Sequence, residues 1–385
     1  MKKNDYKIHV ANIIEEGRVG GPQIRLARVT FAIKKKIKTT LIIPKDNSKE
    51  FQEYCKSLKI KYVLLPFTIL NHNLITIIKY LILFPFEVIL LSRILKKNRF
   101  DVVHVSGGSW QFKGILAARL ARIKVVWELN DTYTPTVIRF IFFFLSFFAN
   151  NFIFASYSTQ SYYEKFILLK KKSFLIQSPV DTNFFDPNVK YPEDDYLKKI
   201  KQKIIIGTVA NVNPTKNLLV LLKVAKKLSN YSNKIAFIIV GSIYESQHSY
   251  YKYLLNKIKT LEIKNFFFIG SRKDVRPLLK AFDIYVCSSK NESSPLSVWE
   301  AMSMKKPIIS TDVGDVGSFI INGINGYIVK VNDEEALARS IKKLVNKPKL
   351  RIKFGKISRE VAKNKLNLKI CARLHVCAYQ SIVNY

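Results

Sequence analysis

The chain has 385 residues, of which 64 are Lys or Arg and 28 are Asp or Glu, so its formal net charge is +36. This length exceeds the roughly 250 to 300 residues that one hydrophobic core normally serves, so we expect two domains. Hydrophobic residues make up 48% of the chain, which argues against long disordered tails. The charge favours polyanionic partners, namely nucleic acid, anionic lipid or phosphorylated ligands, although a lysine-rich coding bias explains it equally well.

Apolar runs typical of strands alternate with helical stretches through the first half of the chain. The runs are KIHVANII, TTLIIP, KYVLLP, DVVHVS and KVVWEL. This alternation predicts a parallel sheet with helices on both faces. No apolar segment of the signal-peptide type precedes the first run, and the four cysteines form no C-x-x-C pair, so we expect a cytosolic protein.

The first candidate ligand site is GRVGGP, residues 17–22, which follows the first predicted strand and precedes a helical stretch. Gly20 and Gly21 permit close approach of a ligand and a positive φ, and Pro22 suits the first position of a helix. Backbone N–H groups there could hold a phosphate or a sugar oxygen. The spacing is not G-x-G-x-x-G, and a plain strand-to-helix turn remains an alternative.

Two apolar stretches stand out in the first half, at residues 74–95 and 137–148. The first is long enough to be considered as a membrane span, but a lysine, a proline, a glutamate and an arginine interrupt it. The second is too short to cross a bilayer. We interpret both as core helices, or as helices that rest an apolar face on a membrane surface while flanking lysines contact anionic lipid.

Prolines and aspartates interrupt the apolar alternation in residues 178–196, where we place the domain boundary. A second series of strand-like runs follows: KIIIGTVA, AFIIVGS, FFFIG, DIYVCSS, KPIIST and GYIVKV. We therefore predict an N-terminal domain over residues 1–187, a C-terminal domain over 188–365, and a helix over 366–385 that packs back toward the N-terminal domain. Two doubly wound domains of this kind, facing each other across a deep cleft, place ligands beyond the carboxyl ends of their strands.

Two loops in the second half carry polar residues directly after predicted strands. In GTVANVNPTKN, residues 207–217, Asn211 offers hydrogen bonds and Lys216 a flexible ammonium group for an anion. In NESSPLSVWEAM, residues 291–302, Ser294 is suited to cap a helix that begins at Pro295. The first N–H groups of that helix form a predicted phosphate site. Its members are Leu296, Ser297 and Val298.

Taken in order, these stretches resemble the retaining glycosyltransferases of family 4, which have the two-domain GT-B fold. The match covers about residues 203–345 and includes the lysine of N-P-T-K-N, the V-G-S strand, D-I-Y-V-C-S-S, a Glu-x7-Glu pair, T-D-V-G and N-G-x-N-G-Y. The first half matches more loosely, through GGP and DVVHVS. The resemblance implies an α/β protein made of two Rossmann-like domains, with a nucleotide-sugar donor bound mainly by the second and an acceptor mainly by the first.

The resemblance also implies roles for single residues. Glu300 corresponds to the glutamate that binds ribose hydroxyls, and Glu292 to the one that contacts the transferred sugar. Lys216 corresponds to the diphosphate-binding lysine, which stabilises the charge on the leaving group. Glu292 and Lys216 are therefore the predicted catalytic residues. The predicted donor-binding residues are Gly20, Gly21, Asn211, Lys216, Glu292, Leu296, Ser297, Val298 and Glu300.

The sequence departs from the family pattern at several positions. Asn211 stands where the family usually has an arginine, and Ser293 and Ser294 replace a glycine and an aromatic residue. Asn130, beside Asp131, occupies the place of a frequent histidine. The predicted acceptor-side residues are Asn130, Asp131 and His104. No metal ligands and no cofactor are expected, as is common in the family.

These observations predict a glycosyltransferase at the cytoplasmic face of the cell membrane. It would use a nucleotide-diphosphate sugar and a lipid-linked acceptor, in the synthesis of a surface polysaccharide or glycolipid. A basic nucleic-acid-binding protein is an alternative, although no recognisable module interleaves arginine with aromatic residues, so no nucleic acid is expected as a partner. A same-fold epimerase or an inactive donor-binding scaffold stays open because of Asn211 and Asn130.

Overall fold

Two sheets of parallel strands organise the chain in the computed structural model, which describes residues 7–69, 73–167, 173–198, 200 and 203–384. The chain divides into two compact units, one formed by Met1–Ser178 with Leu368–Tyr385 and the other by Pro179–Asn367. The division falls after residue 178 rather than after 187. Val180 already belongs to the second unit because its N–H donates to the Leu366 carbonyl and its side chain lies in that core.

The first unit contains a seven-stranded sheet in the order β3-β2-β1-β4-β5-β6-β7, with every neighbouring pair parallel. The central strands are buried on both faces, as expected for runs of Val and Ile covered by helices on each side. The strands are β1 (His9–Ile13), β2 (Lys38–Pro44), β3 (Tyr62–Leu65), β4 (Val102–Val105), β5 (Lys124–Leu129), β6 (Asn151–Phe154) and β7 (Ser173–Leu175).

Six helices of this unit follow its strands along the chain. One core contains residues of the third, fourth and fifth helices, and separate clusters contain residues of the first and second. The helices are α1 (Gly21–Ile33), α2 (Lys49–Ser57), α3 (Leu74–Lys97), α4 (Phe112–Ala121), α5 (Thr136–Ser146) and α6 (Tyr157–Tyr163).

The second unit contains a six-stranded parallel sheet in the order β10-β9-β8-β11-β12-β13. Its strands are β8 (Ile204–Val209), β9 (Ile235–Val240), β10 (Phe266–Phe268), β11 (Ile284–Cys287), β12 (Ile308–Thr311) and β13 (Gly326–Val329). Its helices are α7 (Asp195–Lys198), α8 (Leu218–Lys227), α9 (His248–Thr260), α10 (Arg276–Ala281), α11 (Leu296–Ser303), α12 (Val316–Phe319), α13 (Glu334–Asn346) and α14 (Pro348–Lys365).

Helix α3 is long and apolar enough to cross a membrane by length and composition alone, with a mean hydropathy of 2.2 and 22% of that apolar window buried. Its inner face nevertheless belongs to the core of the first unit through Val88, Leu91 and Leu95. On the same face Glu87 pairs with Lys113 at 2.6 Å. Helix α3 is thus one of the helices that cover the first sheet, while its outer face is exposed.

The last helix, α15 (Leu368–Val383), joins the first unit and packs on α1. It is tied to the sheet by polar contacts centred on Glu128 of β5. Arg25 Nε donates to Glu128 Oε1 at 3.1 Å, and Nε2 of both His104 and His375 lies within 3.5 Å of Oε2. The Tyr379 hydroxyl lies 2.6 Å from His104 Nδ1. These side chains are all buried, so the network fixes α15 from inside the unit.

The protonation states in this network follow from its charges. Burial disfavours a charge on Glu128, but Arg25 and the two histidines outweigh it and hold the carboxyl pKa well below its usual value. Burial lowers the pKa of His104, so that ring is neutral. Burial also opposes a charge on His375, but Cys371 and Glu128 prevail and raise its pKa to about 9. The Glu128 carboxylate therefore lies between two buried cations.

We expect the free energy of unfolding to fall as the pH rises from about 6.5 to 9, the interval between the unfolded and folded pKa of His375. The imidazole ring of His375 binds its proton more tightly in the folded protein. Its contribution to the free energy of unfolding is therefore complete below pH 6.5 and is lost above pH 9. The difference between the two pKa values corresponds to about 3 kcal/mol. Urea unfolding across this range measures it, and His375→Gln should flatten the slope. The exposed His248→Gln serves as control, and equal slopes in the two variants would contradict the assignment.

Candidate active site

The candidate active site of the second unit lies where the strand order changes direction. Strand β8 has β9 on one side and β11 on the other, so the chain leaves β8 toward one edge of the sheet and returns to fill its other side. The loops after β8 and β11 consequently run in opposite directions from the carboxyl ends of two adjacent parallel strands. The space between such loops is the usual position for ligands in these sheets. The first loop carries Lys216 and the second carries Glu292.

Lys216 and Glu292 form an ion pair, with 2.5 Å between Nζ and Oε1. The Ser289 hydroxyl donates to the same carboxylate oxygen at 2.8 Å. Burial disfavours the ammonium form of Lys216, but Glu292 more than compensates, so the lysine pKa is raised and the side chain is cationic at neutral pH. The two side chains are 27% and 16% exposed, so both remain accessible to a ligand. The structure thus brings the two predicted catalytic residues together.

Hydrogen bonds between the two loops fix this pair. The Ser288 hydroxyl donates to the Lys216 carbonyl at 2.9 Å, and the Lys290 N–H donates to the Thr215 carbonyl at 2.8 Å. Ser288 and Ser289 were not predicted from the sequence to hold Lys216 and Glu292 in place. Their signal is present in DIYVCSS, because hydroxyl residues directly after a buried strand lie at the edge where ligands bind.

Helix α11 begins at Leu296, with Pro295 in the capping position. The prediction that Ser294 caps this helix is wrong, because its hydroxyl instead accepts a hydrogen bond from Trp299 Nε1 at 3.0 Å. The prediction of three free N–H groups is wrong for Val298, which donates to the Pro295 carbonyl. The N–H groups of Leu296 and Ser297 remain in the first helical turn, where an α-helix has no acceptors of its own for them.

Glu300 lies in the second turn of α11 and is 7% exposed, whereas Glu292 lies in the preceding loop. A buried carboxylate on a helix has few orientations, so Glu300 is held more rigidly than a surface glutamate. The structure places each glutamate on the element predicted for it, with the start of the helix between them.

Gly314 holds the Glu292 loop in place from the loop after β12. Its φ is +53°, and a Cβ there would lie 2.2 Å from the Ser293 carbonyl oxygen and 2.6 Å from that of Glu292. The next residue, Asp315, donates its N–H to the Ser293 carbonyl at 3.0 Å. The T-D-V-G motif therefore supports the loop by close backbone packing.

Asn211 makes contacts within the unit. Its Oδ1 accepts from the Ser242 N–H at 3.2 Å, and its Nδ2 lies 3.3 Å from the Tyr244 hydroxyl. The side chain links the loops after β8 and β9. An arginine at this position would add a positive charge, whereas Asn211 connects the two loops by hydrogen bonds. The predicted donor-binding role of Asn211 stays a prediction.

Gly20 and Gly21 belong to the first unit, whereas Lys216 belongs to the second. Gly20 has an extended backbone with φ −149°, and Gly21 opens α1 in helical conformation. The expectation of a positive φ at these glycines is therefore wrong. The helix start does follow β1, as the sequence predicts. In the first turn of α1 the N–H groups of Gly21 and Gln23 have no acceptor within the helix, because Pro22 has no N–H and Ile24 donates to the Gly20 carbonyl.

Two acceptor-side candidates follow β5 in the first unit. Asp131 accepts hydrogen bonds from the hydroxyls of Tyr163 and Ser109, and burial raises its pKa. Within the described part of the chain, Asn130 Nδ2 is buried without a hydrogen-bond partner. A Cβ at Gly108 would lie about 3 Å from both side chains, so glycine is needed beside them. Asn130 thus retains an unused donor at the carboxyl edge of the sheet.

The acceptor-side interpretation of His104 is wrong. Its ring is 1% exposed and is enclosed by Asn12, Glu128 and Tyr379 in the network that fixes α15. Successive side chains of a strand point to opposite faces of the sheet, and the predicted packing of the C-terminal helix on this domain did not specify which face it would cover. His104 is a structural residue.

Among the residues that the structure describes, no group of three or more His, Cys, Asp or Glu side chains is arranged to hold a metal ion. Cys371 and His375 both lie in α15, and the His375 Nδ1 lies 2.9 Å from the Cys371 carbonyl oxygen. Cys377, in the same helix, is exposed.

Two family models match successive parts of the chain. The model for Glycosyltransferase Family 4 matches residues 19–184, and that for Glycosyl transferases group 1 matches residues 192–361. Together they span most of both units. The chain belongs to glycosyltransferase family 4. The resemblance noted from the motifs is therefore confirmed, and with it the glycosyltransferase class of the protein.

Two curated relatives match over most of their length at 25% identity. One is the Escherichia coli UDP-Gal:alpha-D-GlcNAc-diphosphoundecaprenol alpha-1,3-galactosyltransferase, where the match covers 69% of this chain and 72% of the relative. The other is the Campylobacter jejuni N,N'-diacetylbacillosaminyl-diphospho-undecaprenol alpha-1,3-N-acetylgalactosaminyltransferase, with 82% and 84% covered.

Among solved structures, Anabaena HepE in complex with UDP and glucose superposes with a TM-score of 0.83. The identity is 16%, and the match covers 97% of this chain and 99% of HepE. At this identity the likeness establishes the fold. The predicted GT-B fold, built from two parallel α/β domains, is confirmed.

Gly314→Ala should destabilise the protein more than Gly323→Ala. Both glycines have a positive φ, which costs an alanine about 1–2 kcal/mol. Only Gly314 has backbone atoms in the space of the added Cβ, whereas Gly323 has no atom within 4 Å. We expect a further loss of about 1–3 kcal/mol at Gly314, measurable by urea unfolding. Equal losses would show that the Glu292 loop moves away freely.

Proposed function

We propose that this glycosyltransferase moves a sugar from a nucleotide-diphosphate donor to a lipid-linked acceptor, with retention of anomeric configuration. The product would be an intermediate in the assembly of a cell-surface polysaccharide or glycolipid. The observation that carries the donor half of this proposal is the Lys216–Glu292 pair at the carboxyl ends of β8 and β11. The pair places a cation beside a carboxylate that can accept hydrogen bonds from sugar hydroxyls.

The donor contains groups that match these two side chains. When the bond between the sugar and the diphosphate breaks, negative charge accumulates on the departing phosphate oxygen. Lys216 and the N–H groups of Leu296 and Ser297 stabilise that charge, and we propose that they do so without a bound metal. Glu292 accepts hydrogen bonds from the hydroxyls of the transferred sugar, and Glu300 from those of the ribose.

Lys216 and Glu292 neutralise each other in the ion pair, so neither charge is left unpaired in a partly buried loop. Binding of the donor replaces one contact by two: Lys216 turns to the phosphate and Glu292 to the sugar. Ser289, which also donates to Glu292, keeps the carboxylate in position during this exchange.

The curated relatives support the acceptor and the stereochemistry. Both are named for acceptors on a diphosphate-linked undecaprenol and for α-1,3 linkages. A donor whose sugar is α-linked to phosphate yields an α-linked product only if the configuration is retained. We infer the same acceptor class and the same stereochemical course for this chain.

A membrane surface suits the first unit. Helix α3 exposes Leu81, Ile82 and Phe86 at 60% or more, and α5 exposes Val137 and Phe140 to a similar extent. Both helices contribute to the same core and flank α4. Exposed cations lie on the same part of the chain, at Lys79, Arg93, Lys96 and Lys97 of α3 and at Arg119 of α4. We propose that α3 and α5 rest on the anionic inner leaflet of the cell membrane.

Donor binding is tested by thermal shift with UDP-, GDP- and ADP-sugars, UDP-sugars first because one relative is named for UDP-Gal. We expect stabilisation by one nucleotide class. Lys216→Met and Glu300→Gln should lose most of it, and Lys216→Met should lower transfer about 10²–10³-fold. The exposed Lys226→Met, also in the second unit, is the control. Stabilisation that persists in both site variants would contradict the assigned donor site.

Membrane association is tested by flotation with vesicles that contain phosphatidylglycerol. We expect the wild-type protein to float at low salt, and the double variant Leu81→Glu with Phe140→Glu to remain in the soluble fraction, because two charges enter an apolar contact. Ile352→Glu alters an equally exposed apolar residue of the second unit and should float like the wild type. Equal flotation of the double variant would exclude this surface.

A further inference from the structure

The first unit contains a cavity of about 200 Å³ that the donor site does not use. It lies at the carboxyl edge of the first sheet, between the segment after β1, the segment after β3, the segment after β4 and the inner face of α3. Its lining includes Glu15, Glu16, Thr68, Tyr80, Trp110 and Gln111. The cavity is therefore lined by both polar and aromatic side chains.

Glu15 is held rigidly in this lining. Its Oε1 accepts the Lys113 N–H at 2.9 Å, in the first turn of α4, and its own N–H donates to Gln111 Oε1 at 2.5 Å. The residue is 6% exposed. Burial raises the pKa of the carboxyl to about 7, although Lys113 opposes the rise. Glu15 is thus a preorganised hydrogen-bonding group, and the side-chain oxygen of Gln111 holds it by accepting its N–H.

The positive charge beside Glu15 is not presented to the cavity. Lys113 is fully buried, and its ammonium group lies 2.6 Å from Glu87 and 2.5 Å from the Thr68 carbonyl. Tyr80 covers it, with the ring centroid 4.4 Å from Nζ. Lys113 is consequently neutralised inside the unit. The described lining contains no lysine or arginine. Its two carboxyl groups are Glu15, which lies 4.0 Å from Lys113 Nζ, and Glu16, which pairs with Arg18 at 3.1 Å, so the lining offers carboxyl oxygens but no cation.

A lining of carboxyl oxygens without a cation favours neutral hydroxyl groups over phosphate. A carboxyl group accepts hydrogen bonds from hydroxyls, whereas a phosphate would find no positive side chain in this lining. Trp110 adds a flat apolar surface that is 36% exposed, and a ring with C–H groups on one face can pack against it. Aromatic surface combined with a few fixed polar groups is the usual composition of a small-molecule pocket.

We propose that this cavity binds a neutral sugar ring of the acceptor. Glu15 accepts hydrogen bonds from its hydroxyls, and Trp110 packs on its apolar face. The diphosphate of a lipid-linked acceptor stays outside the cavity. Helix α3 supports this arrangement, because Tyr80 lies in the lining while Leu81 and Ile82 point to solvent on the proposed membrane face. The inference rests on the proposed function for the origin of the sugar.

The three tryptophans make the cavity directly observable. Trp127 and Trp299 are fully buried, so Trp110 is the tryptophan that reports on occupancy. Fluorescence titrations with GlcNAc, galactose and inorganic phosphate would compare the candidate ligand chemistries. We expect at least one sugar to change the emission in the millimolar range and phosphate to have no effect. Phosphate that binds more tightly than every sugar, or no response to either sugar up to about 100 mM, would overturn the proposal.

Variants assign the binding to these residues. At pH 8, above the pKa of about 7 that burial gives the Glu15 carboxyl, Glu15→Gln should weaken sugar binding about tenfold, because a hydrogen bond to a charged acceptor is lost. Glu53→Gln, an exposed glutamate of α2, should bind like the wild type. Trp110→Ala removes the signal and should abolish the saturation-transfer NMR response to the sugar, and its partial exposure makes it a variant that folds. Equal sugar affinity of Glu15→Gln and Glu53→Gln would contradict the proposal.

Thermal shift with nucleotide sugars separates this proposal from the proposed function. The cavity variants should keep the donor response of the wild type, because Lys216 and Glu300 are unchanged. Sugar binding without any donor response in the wild type would refute the proposed function and leave the cavity as a sugar site. A donor response without any sugar effect on Trp110 would refute the cavity proposal alone.

Discussion

Parallel pairing of the strands is the constraint on which the site depends. Parallel strands end at the same edge of a sheet, and the change of direction between β8 and β11 separates two loops there. Lys216 and Glu292, far apart in the chain, meet because of this topology and not because of any local pattern. The same rule in the first sheet gathers the segments after β1, β3 and β4 around the cavity that contains Glu15.

Three carboxylates show how burial and partners set different roles in one basic chain. Glu128 is buried between Arg25 and a protonated His375, and all its contacts are structural. Glu292 is partly exposed beside a single lysine, so a ligand can exchange with its partner. Glu15 is buried but faces a cavity, and its nearest cation is already neutralised by Glu87. Glu128 and Glu15 are almost equally buried, so the neighbours of a carboxyl group, and whether a cavity or solvent adjoins it, separate the structural residue from one that a ligand can reach.

The same helix can serve the interior and the surface. The inner face of α3 contributes Val88 and Leu91 to the core and Glu87 to the Lys113 pair, while its outer face exposes large apolar side chains. The two faces of α3 could not be told apart from the sequence, because both are apolar and hydropathy does not distinguish packing against protein from contact with lipid. The buried glutamate within the apolar stretch, read from sequence as an interruption, is a fixed internal contact.

Much of the fold was predictable from the sequence. Strand runs rich in Val and Ile, separated by helical stretches, specify doubly wound parallel sheets because each run must be buried on both faces. The Glu-x7-Glu spacing set one glutamate in a loop and the other on a helix. Errors arose where local preference competed with nearby partners. Ser294 bonds to Trp299 instead of capping α11, and Val298 donates to Pro295.

The sequence by itself determined the two-domain α/β class, the order of the motifs and the family, because these depend on periodicity and on spacing along the chain. Only the tertiary structure decided which polar residues face ligands. His104 faces the C-terminal helix, whereas Glu15, inconspicuous in the sequence, lines a cavity. The physical reason is that exposure of a side chain depends on residues distant in the chain: Tyr379 covers His104, and Lys113, Glu87 and Tyr80 together shape the surroundings of Glu15.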